Sequence, residues 1–207
     1  MTTITEKYFP ALTPLQNHRL SLLHGLYREW NRSINVISRK DIDNFEIKHL
    51  LHSLAIARFI SFVPGTTILD VGTGGGLPGI PLAVIFPQTQ FTLVDSIAKK
   101  IRVAEAIASE AGLDNVRTVV SRVENMRGSY DFIIGRAVTE TGKLMKLTRH
   151  LISPRSFNIR KNGWILLKGG DLQTELGLLG HEAEVTAVSD WFDEPFFETK
   201  KIVWLPL

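Results

Sequence analysis

Ile68-Leu69-Asp70-Val71-Gly72-Thr73-Gly74-Gly75-Gly76-Leu77-Pro78-Gly79-Ile80-Pro81-Leu82 passes from a short apolar run through a cluster of glycines into a second apolar run. The pattern reads as strand, turn and helix. Residues 67–71 suit a buried strand, and Gly72, Gly74 and Gly76 supply a turn where backbone can approach a ligand with no Cβ in the way. Pro78 suits the first turn of the following helix, where its missing N–H costs nothing. The N-terminus of that helix is expected to face the ligand with unpaired N–H groups.

Two ligand classes use such a turn. Gly74-x-Gly76-x-x-Gly79 matches the dinucleotide fingerprint, which carries little weight alone. The frame Asp70-x-Gly72-x-Gly74-x-Gly76 resembles the first motif of S-adenosylmethionine-dependent methyltransferases. A turn with no ligand is disfavoured, because glycines weaken both neighbouring elements. Phe91-Thr92-Leu93-Val94-Asp95 reads as a second apolar strand ending in an acid, about 20 residues past the glycines, as a ribose clamp requires. The rival role for Asp95 is a helix N-cap.

The 207 residues can bury a sizeable core. Hydrophobic content of 44% and charged content of 22% are those of an ordinary globular protein. Cysteine is absent, which excludes disulfides, thiolate metal sites and a cysteine nucleophile, and a reducing, cytoplasmic setting is expected. No metal site, signal peptide or membrane span is expected. A net charge of +3 permits a nucleic-acid partner only where the cations share one face.

Thr13-Pro14 looks like an N-cap followed by proline at the first helical position, with Leu15, Leu22, Leu23, Leu26 and Trp30 at helical spacing after it. Residues 31–40, with Arg32, Arg39 and Lys40, read as a polar basic loop. Asp43 and Glu46 suggest a capping box that opens a helix running to about Phe62, before Pro64-Gly65. Residues 1–62 are expected to form a helical extension packed on one unit, 63–207. There, strands near 66–71, 90–95, 116–120 and 130–135 alternate with helices near 78–86, 97–111 and 139–151. A fifth strand at 164–168, a short helix at 171–179 and a closing hairpin-like pair at 184–191 and 199–205 complete the chain. The alternation implies an α/β fold with a mostly parallel sheet covered on both faces. Too few residues follow the fifth strand to build the substrate domain of a dehydrogenase, which favours S-adenosylmethionine as cofactor.

Further stretches carry a family resemblance: Asn35-Val36-Ile37, Lys48-His49-Leu50-Leu51-His52-Ser53, Leu93-Val94-Asp95-Ser96, Ser121-Arg122-Val123-Glu124, Gly135-Arg136-Ala137 and Leu167-Lys168-Gly169-Gly170. With the glycine block, they appear in the order of the bacterial small-subunit ribosomal RNA guanine-N7 methyltransferases, the glucose-inhibited division protein B family, which this chain resembles over about residues 30 to 180. The resemblance implies a seven-stranded Rossmann-like methyltransferase fold with an antiparallel last strand. It also implies a monomer that methylates N7 of the guanine known as position 527 in 16S rRNA, free or in a small-subunit particle, with no membrane partner.

By the same resemblance, Gly72, Gly74, Gly76 and Leu77 underlie the methionine part of the cofactor, and Asp95 accepts the ribose hydroxyls. Ser96 and Ile97 flank the adenosine, and Val123 and Glu124 frame the adenine. Arg136 stands between cofactor and base as the residue that positions catalysis. RNA contacts are assigned to His49, Ser53, Lys99, Lys100, Arg102, Arg122 and Lys168. Lys99, Lys100 and Arg102 open a helix where the dipole disfavours cations, which suggests an outside anion, with a solvated helical face as the alternative. His52 stands where many family members carry an acid, so that carboxylate's role does not carry over. The basic loop at 153–162 exceeds the usual short turn.

What the chain lacks agrees with N7 chemistry. Gly135-Arg136-Ala137-Val138 replaces the Asn/Asp-Pro-Pro-aromatic signature of exocyclic-amine methylation, and carbon-5 methylation needs a cysteine. N7 already carries an in-plane lone pair, so no general base is required. Positioning alone can supply roughly 7–11 kcal/mol. A methyltransferase acting on a small molecule or protein is the alternative, since it would share the cofactor motifs and differ on the acceptor side.

Overall fold

Seven strands form one sheet in the order β3-β2-β1-β4-β5-β7-β6 in the computed structural model, which describes residues 3–38, 40–136, 139–177, 179 and 182–207. The strands are β1 (Thr67–Val71), β2 (Gln90–Asp95), β3 (Val116–Val120), β4 (Phe132–Arg136), β5 (Gly163–Gly169), β6 (Glu184–Ala187) and β7 (Lys200–Pro206). β1 to β5 pair in parallel, and β7 runs antiparallel to both β5 and β6. This is the expected mostly parallel α/β sheet. β1 lies between β2 and β4, so strand order reverses there and opens a crevice at the carboxyl edge.

Alternate residues of the central strands enter two cores. Ile68 of β1, Phe132 and Ile134 of β4 and Ile165 of β5 face one, while Leu69, Ile133 and Trp164 face the other. The first core is closed by α2 (Pro14–Ser33), α3 (His52–Phe59), α4 (Gly79–Ile85) and α5 (Ala98–Glu110), and the second by α6 (Thr141–Thr148). Burial on both faces explains why these strands read as continuous apolar runs.

Thr13 caps α2 as expected: its hydroxyl accepts the Gln16 N–H, the Gln16 side chain accepts the Thr13 N–H, and Pro14 follows. A second box of this kind, Thr3 with Glu6, opens a short α1 (Ile4–Tyr8) that the sequence reading missed. α2 runs past Asn31 to Ser33, and Asn31 Oδ1 then accepts the N–H groups of Val36 and Ile37. Asp43 and Glu46 form no capping box. Ile42–Asn44 is a 3-10 turn and Glu46–Leu51 a π-helical stretch leading into α3, while Asp43 faces Arg28 at 3.8 Å. α3 ends at Phe59 and not near Phe62, because the chain turns extended at Ile60 and sends the Phe62 ring between Phe86 and Phe132.

The amino edge of the central strands is joined by side chains. Asp131, buried just before β4, accepts the Thr67 N–H and hydroxyl at 2.8 and 3.0 Å with one oxygen and the Asn162 amide at 3.2 Å with the other. One carboxylate therefore holds the starts of β1, β4 and β5.

Candidate active site

The carboxyl edge of β1 continues into the glycine turn, where Gly72, Gly74 and Gly76 have φ of 64°, 58° and 103°. Side chains in this region cost roughly 1–2 kcal/mol per residue. A Cβ on Gly74 would meet nothing within 4 Å, so this glycine keeps open space outside the turn as well as the turn's shape.

Asp70 holds the turn from beneath. It is fully buried, and its Oδ2 accepts the Thr73 hydroxyl at 2.6 Å and the Gly79 N–H at 2.9 Å. Burial pushes its carboxyl up to about 7, against the opposing effect of these bonds and of the Arg136 charge. The Gly79 contact corrects an expectation. The first amide of α4 points inward to Asp70, and the Ile80 N–H bonds Gly76 O at 2.8 Å, so neither faces a ligand. Pro78 takes the N-cap, one position ahead of the first helical turn. The buried carboxylate needs donors, and only glycine at position 79 lets it approach: a Cβ would lie 2.8 Å from Asp70 Oδ2 and overlap Leu93 Cδ2.

Asp95 ends β2 beside this turn. Its Oδ2 accepts the Gly74 N–H at 3.0 Å and its Oδ1 the Ile97 N–H at 2.9 Å. The N-cap of α5 is Ile97, so the carboxylate belongs to the glycine turn and not to the helix cap. An ionised carboxylate offers about four acceptor sites, so two remain for a ligand.

A cleft of about 170 Å³ opens here at the ends of β1, β2 and β3. Among its lining are Gly72, Asp95, Ser96, Val123 and Glu124, together with Arg122, which was expected on the RNA side. Ile97 is exposed beside it, whereas Gly76 and Leu77 are buried beneath the turn. A polar rim and a cradle without side chains suit a nucleoside with a flexible tail.

Arg136 ends β4, next to β1 on the same edge. The residue is half-buried, and its Nη1 donates to Lys48 O at 3.5 Å. Burial weakens its hold on the proton, and the Tyr27 and Asp70 oxygens favour it. The succeeding Ala137 and Val138, like Arg39, lie outside the described residues.

The chain matches the family described as rRNA small subunit methyltransferase G over residues 16–196. It belongs to that family. The chain is 52% identical over 207 residues to "Ribosomal RNA small subunit methyltransferase G" of Porphyromonas gingivalis, covering 100% of this chain and 94% of that protein. The protein of the same description from Bacteroides thetaiotaomicron is 50% identical over 201 residues, 97% of this chain and 98% of its own length. The fold is shared with a SAM-dependent methyltransferase from Aquifex aeolicus, at TM-score 0.59 and 14% identity over 83% of this chain and 100% of that one.

The residues expected on the RNA side of this small-subunit rRNA methyltransferase do not share one environment. Lys99, Arg102 and Arg122 are exposed and Lys100 half-buried, on the first turns of α5 and the loop after β3, beside the cleft. His49 is half-buried with neither ring nitrogen partnered among the described residues, and its ring stacks on Phe45 at 6.0 Å. Burial and the Arg136 charge push it down to about 4, so it is neutral at pH 7. Lys168 is engaged: its ammonium lies 2.8 Å from Glu175 of α7 (Gln173–Gly177), which also accepts the Thr141 N–H at 2.7 Å. Sequence spacing gave no sign of Glu175.

One expected RNA contact is not available in this structure. Ser53 is fully buried with its hydroxyl on His49 O at 2.6 Å, because it lies on the core face of α3, so it presents nothing to RNA. The basic loop 153–162 precedes β5 and thus sits at the amino edge, opposite the cleft. Its Arg160 lies over the Phe59 ring at 3.9 Å and pairs with Glu184. His52, 6% exposed, packs edge-on against Phe196 and Phe197, and burial pushes it down to about 3. It serves there as an aromatic core residue.

Proposed function

We propose that this methyltransferase transfers the methyl group of S-adenosylmethionine to N7 of the guanine at position 527 of 16S rRNA, acting as a monomer in the cytoplasm. The observation that carries the reading is the Gly74–Asp95 bond over the cleft, which leaves acceptor sites of Asp95 free beside a turn with room above it. In this reading residues 63–207 form the catalytic domain and residues 1–62 a helical extension on it. Asp95 binds the ribose hydroxyls, Ser96, Ile97, Val123 and Glu124 enclose the adenosine, and Gly72, Gly74, Gly76 and Leu77 form the floor under the methionine part.

Bound S-adenosylmethionine supplies an electrophilic methyl group on a sulfonium. Arg136 orients the base with its donor fork, which suits the O6 edge of guanine. N7 would form the new N–CH3 bond with its own lone pair while the S–CH3 bonding pair leaves with S-adenosylhomocysteine, so no proton has to leave and the protein is spared a base. His49, held neutral with a value near 4, is a poor proton acceptor at pH 7, in keeping with that chemistry. Lys99, Lys100, Arg102 and Arg122 carry the RNA backbone past the cleft. Incubating the protein and radiolabelled cofactor with RNA from cells lacking this protein, followed by nucleoside analysis, should give labelled 7-methylguanosine in 16S rRNA. Label in another nucleoside, or in protein alone, would overturn the assignment.

A further inference from the structure

Tyr27 lies on α2, and its side chain is fully buried, yet its hydroxyl donates to Gly75 O at 2.8 Å across 48 residues of chain. The ring packs on Phe45 at 5.0 Å between centroids. Gly75 is itself buried between Gly74 and Gly76, both at positive φ. The neighbouring bonds of this turn leave that carbonyl alone: the Gly72 and Thr73 amides go to Val94 O, the Gly74 amide to Asp95, the Gly76 and Leu77 amides to Thr73 O, and Gly76 O accepts from Ile80. The Gly75 carbonyl is satisfied from outside, by the helical extension.

We infer that Tyr27 is a positioning residue of the cofactor site, fixing the Gly75 carbonyl and with it the turn that presents Gly74 to Asp95. The inference rests on the S-adenosylmethionine reading above. Its physical basis is the peptide between Gly75 and Gly76. With glycine on both sides, little steric resistance opposes rotation of that peptide plane. An anchored carbonyl keeps one orientation, whereas a buried carbonyl with no donor favours turning elsewhere. Rotation would alter φ of Gly76 and disturb the bonds on either side, so the free turn would sample shapes in which the Gly74 amide leaves Asp95. Burial pushes the phenol well above its ordinary value, so the donor stays protonated across the accessible pH range. α2 thereby becomes part of the binding site although it stands on the core side of the turn.

Tyr27→Phe keeps the ring and removes only the donor. Binding of S-adenosylhomocysteine to the full-length protein by calorimetry, KM for each substrate, and melting without ligand separate positioning from stability. Expected is a roughly ten-fold loss of affinity for S-adenosylhomocysteine and a matching rise in KM for S-adenosylmethionine, with KM for RNA unchanged. Leu23→Ala, on the same helix and fully buried in the same core, should lower the melting temperature yet keep the affinity. Parental affinity in Tyr27→Phe, or an equal loss in Leu23→Ala, would overturn the inference while leaving the cofactor reading intact. A parent protein that binds no S-adenosylhomocysteine would overturn both.

Discussion

The Gly74 amide donates to Asp95 Oδ2 at 3.0 Å, which locks the turn after β1 to the last residue of β2. The carboxylate also holds the Ile97 N–H, so both of its oxygens are needed as acceptors. An amide at this position must turn its NH2 group toward one of the two donors. Asp95→Asn is therefore expected to weaken S-adenosylhomocysteine binding by roughly 1.5–3 kcal/mol, the range for hydrogen bonds to a charged group. Calorimetry reads this directly, and parental affinity would return Asp95 to a structural role.

Gly74 and Gly79 should respond differently to alanine. At Gly74 the new methyl enters open space at positive φ, so stability should fall by only about 1–2 kcal/mol while cofactor binding falls at least ten-fold. At Gly79 the methyl would press on Leu93 and the Asp70 carboxylate, and the expected result is a poorly folded protein. Melting curves beside calorimetry distinguish the two. Equal damage to fold and binding in both variants would show that the space above Gly74 holds no ligand.

Lys100 and Arg136 should separate RNA affinity from turnover. Lys100→Gln is expected to weaken RNA binding and to lower the slope of log affinity against log salt by about one, with cofactor affinity unchanged. Arg136→Ala should instead lower methyl transfer at saturating RNA. An Arg136→Ala variant with full turnover and weakened RNA binding would move that residue to the phosphate track.

Buried His52 and Asp70, with half-buried His49, shape the acid response. His49 and His52 are pushed down to about 4 and about 3 from 6.5, by burial first and then by the Arg136 charge. The folded chain stays neutral there where the unfolded chain takes up protons, so stability is lost as pH falls from about 6.5 toward 4. Asp70, pushed up to about 7 from 3.8, works in the opposite sense across that window, because only the folded chain binds its proton. Two protons against one leave a net loss below pH 6.5, with a slope of at most about 1.4 kcal/mol per pH unit. Urea midpoints at pH 6.5 and pH 5 should show it, and His52→Leu should flatten it. A midpoint that rises toward pH 5 would mean Asp70 dominates.

The strands were legible because burial on both faces makes apolar runs, and the turn because its glycines are forced by positive φ at Gly72, Gly74 and Gly76. Position along the carboxyl edge was legible for Asp95 and Arg136, since each directly ends a strand. What escaped depends on contacts between distant segments. Tyr27 looks like any apolar position of an amphipathic helix until its hydroxyl meets Gly75. Glu175 looks like a solvated helical acid until Lys168 and Thr141 surround it. Ser53 sits within a motif, but which way a helix faces follows from the core it joins. The missed helix α1 rests on a single turn capped by Thr3, too short for periodicity to reveal.

The Asp131 node gives the two ends of the sheet different mechanical characters. At the amino end, three strand starts converge on one buried carboxylate, so displacing any of them strips partners from a charge with nowhere else to turn. At the carboxyl end, β1 runs out into the glycine turn, whose side-chain tie to β2 is the half-exposed Asp95. Thermal motion should therefore pivot about the Asp131 end and grow toward the cleft, like the free tips of a fan held at its rivet. Hydrogen exchange would register that gradient along a single strand: slow at Ile68 and Ile133, faster at the residues that reach the ligand.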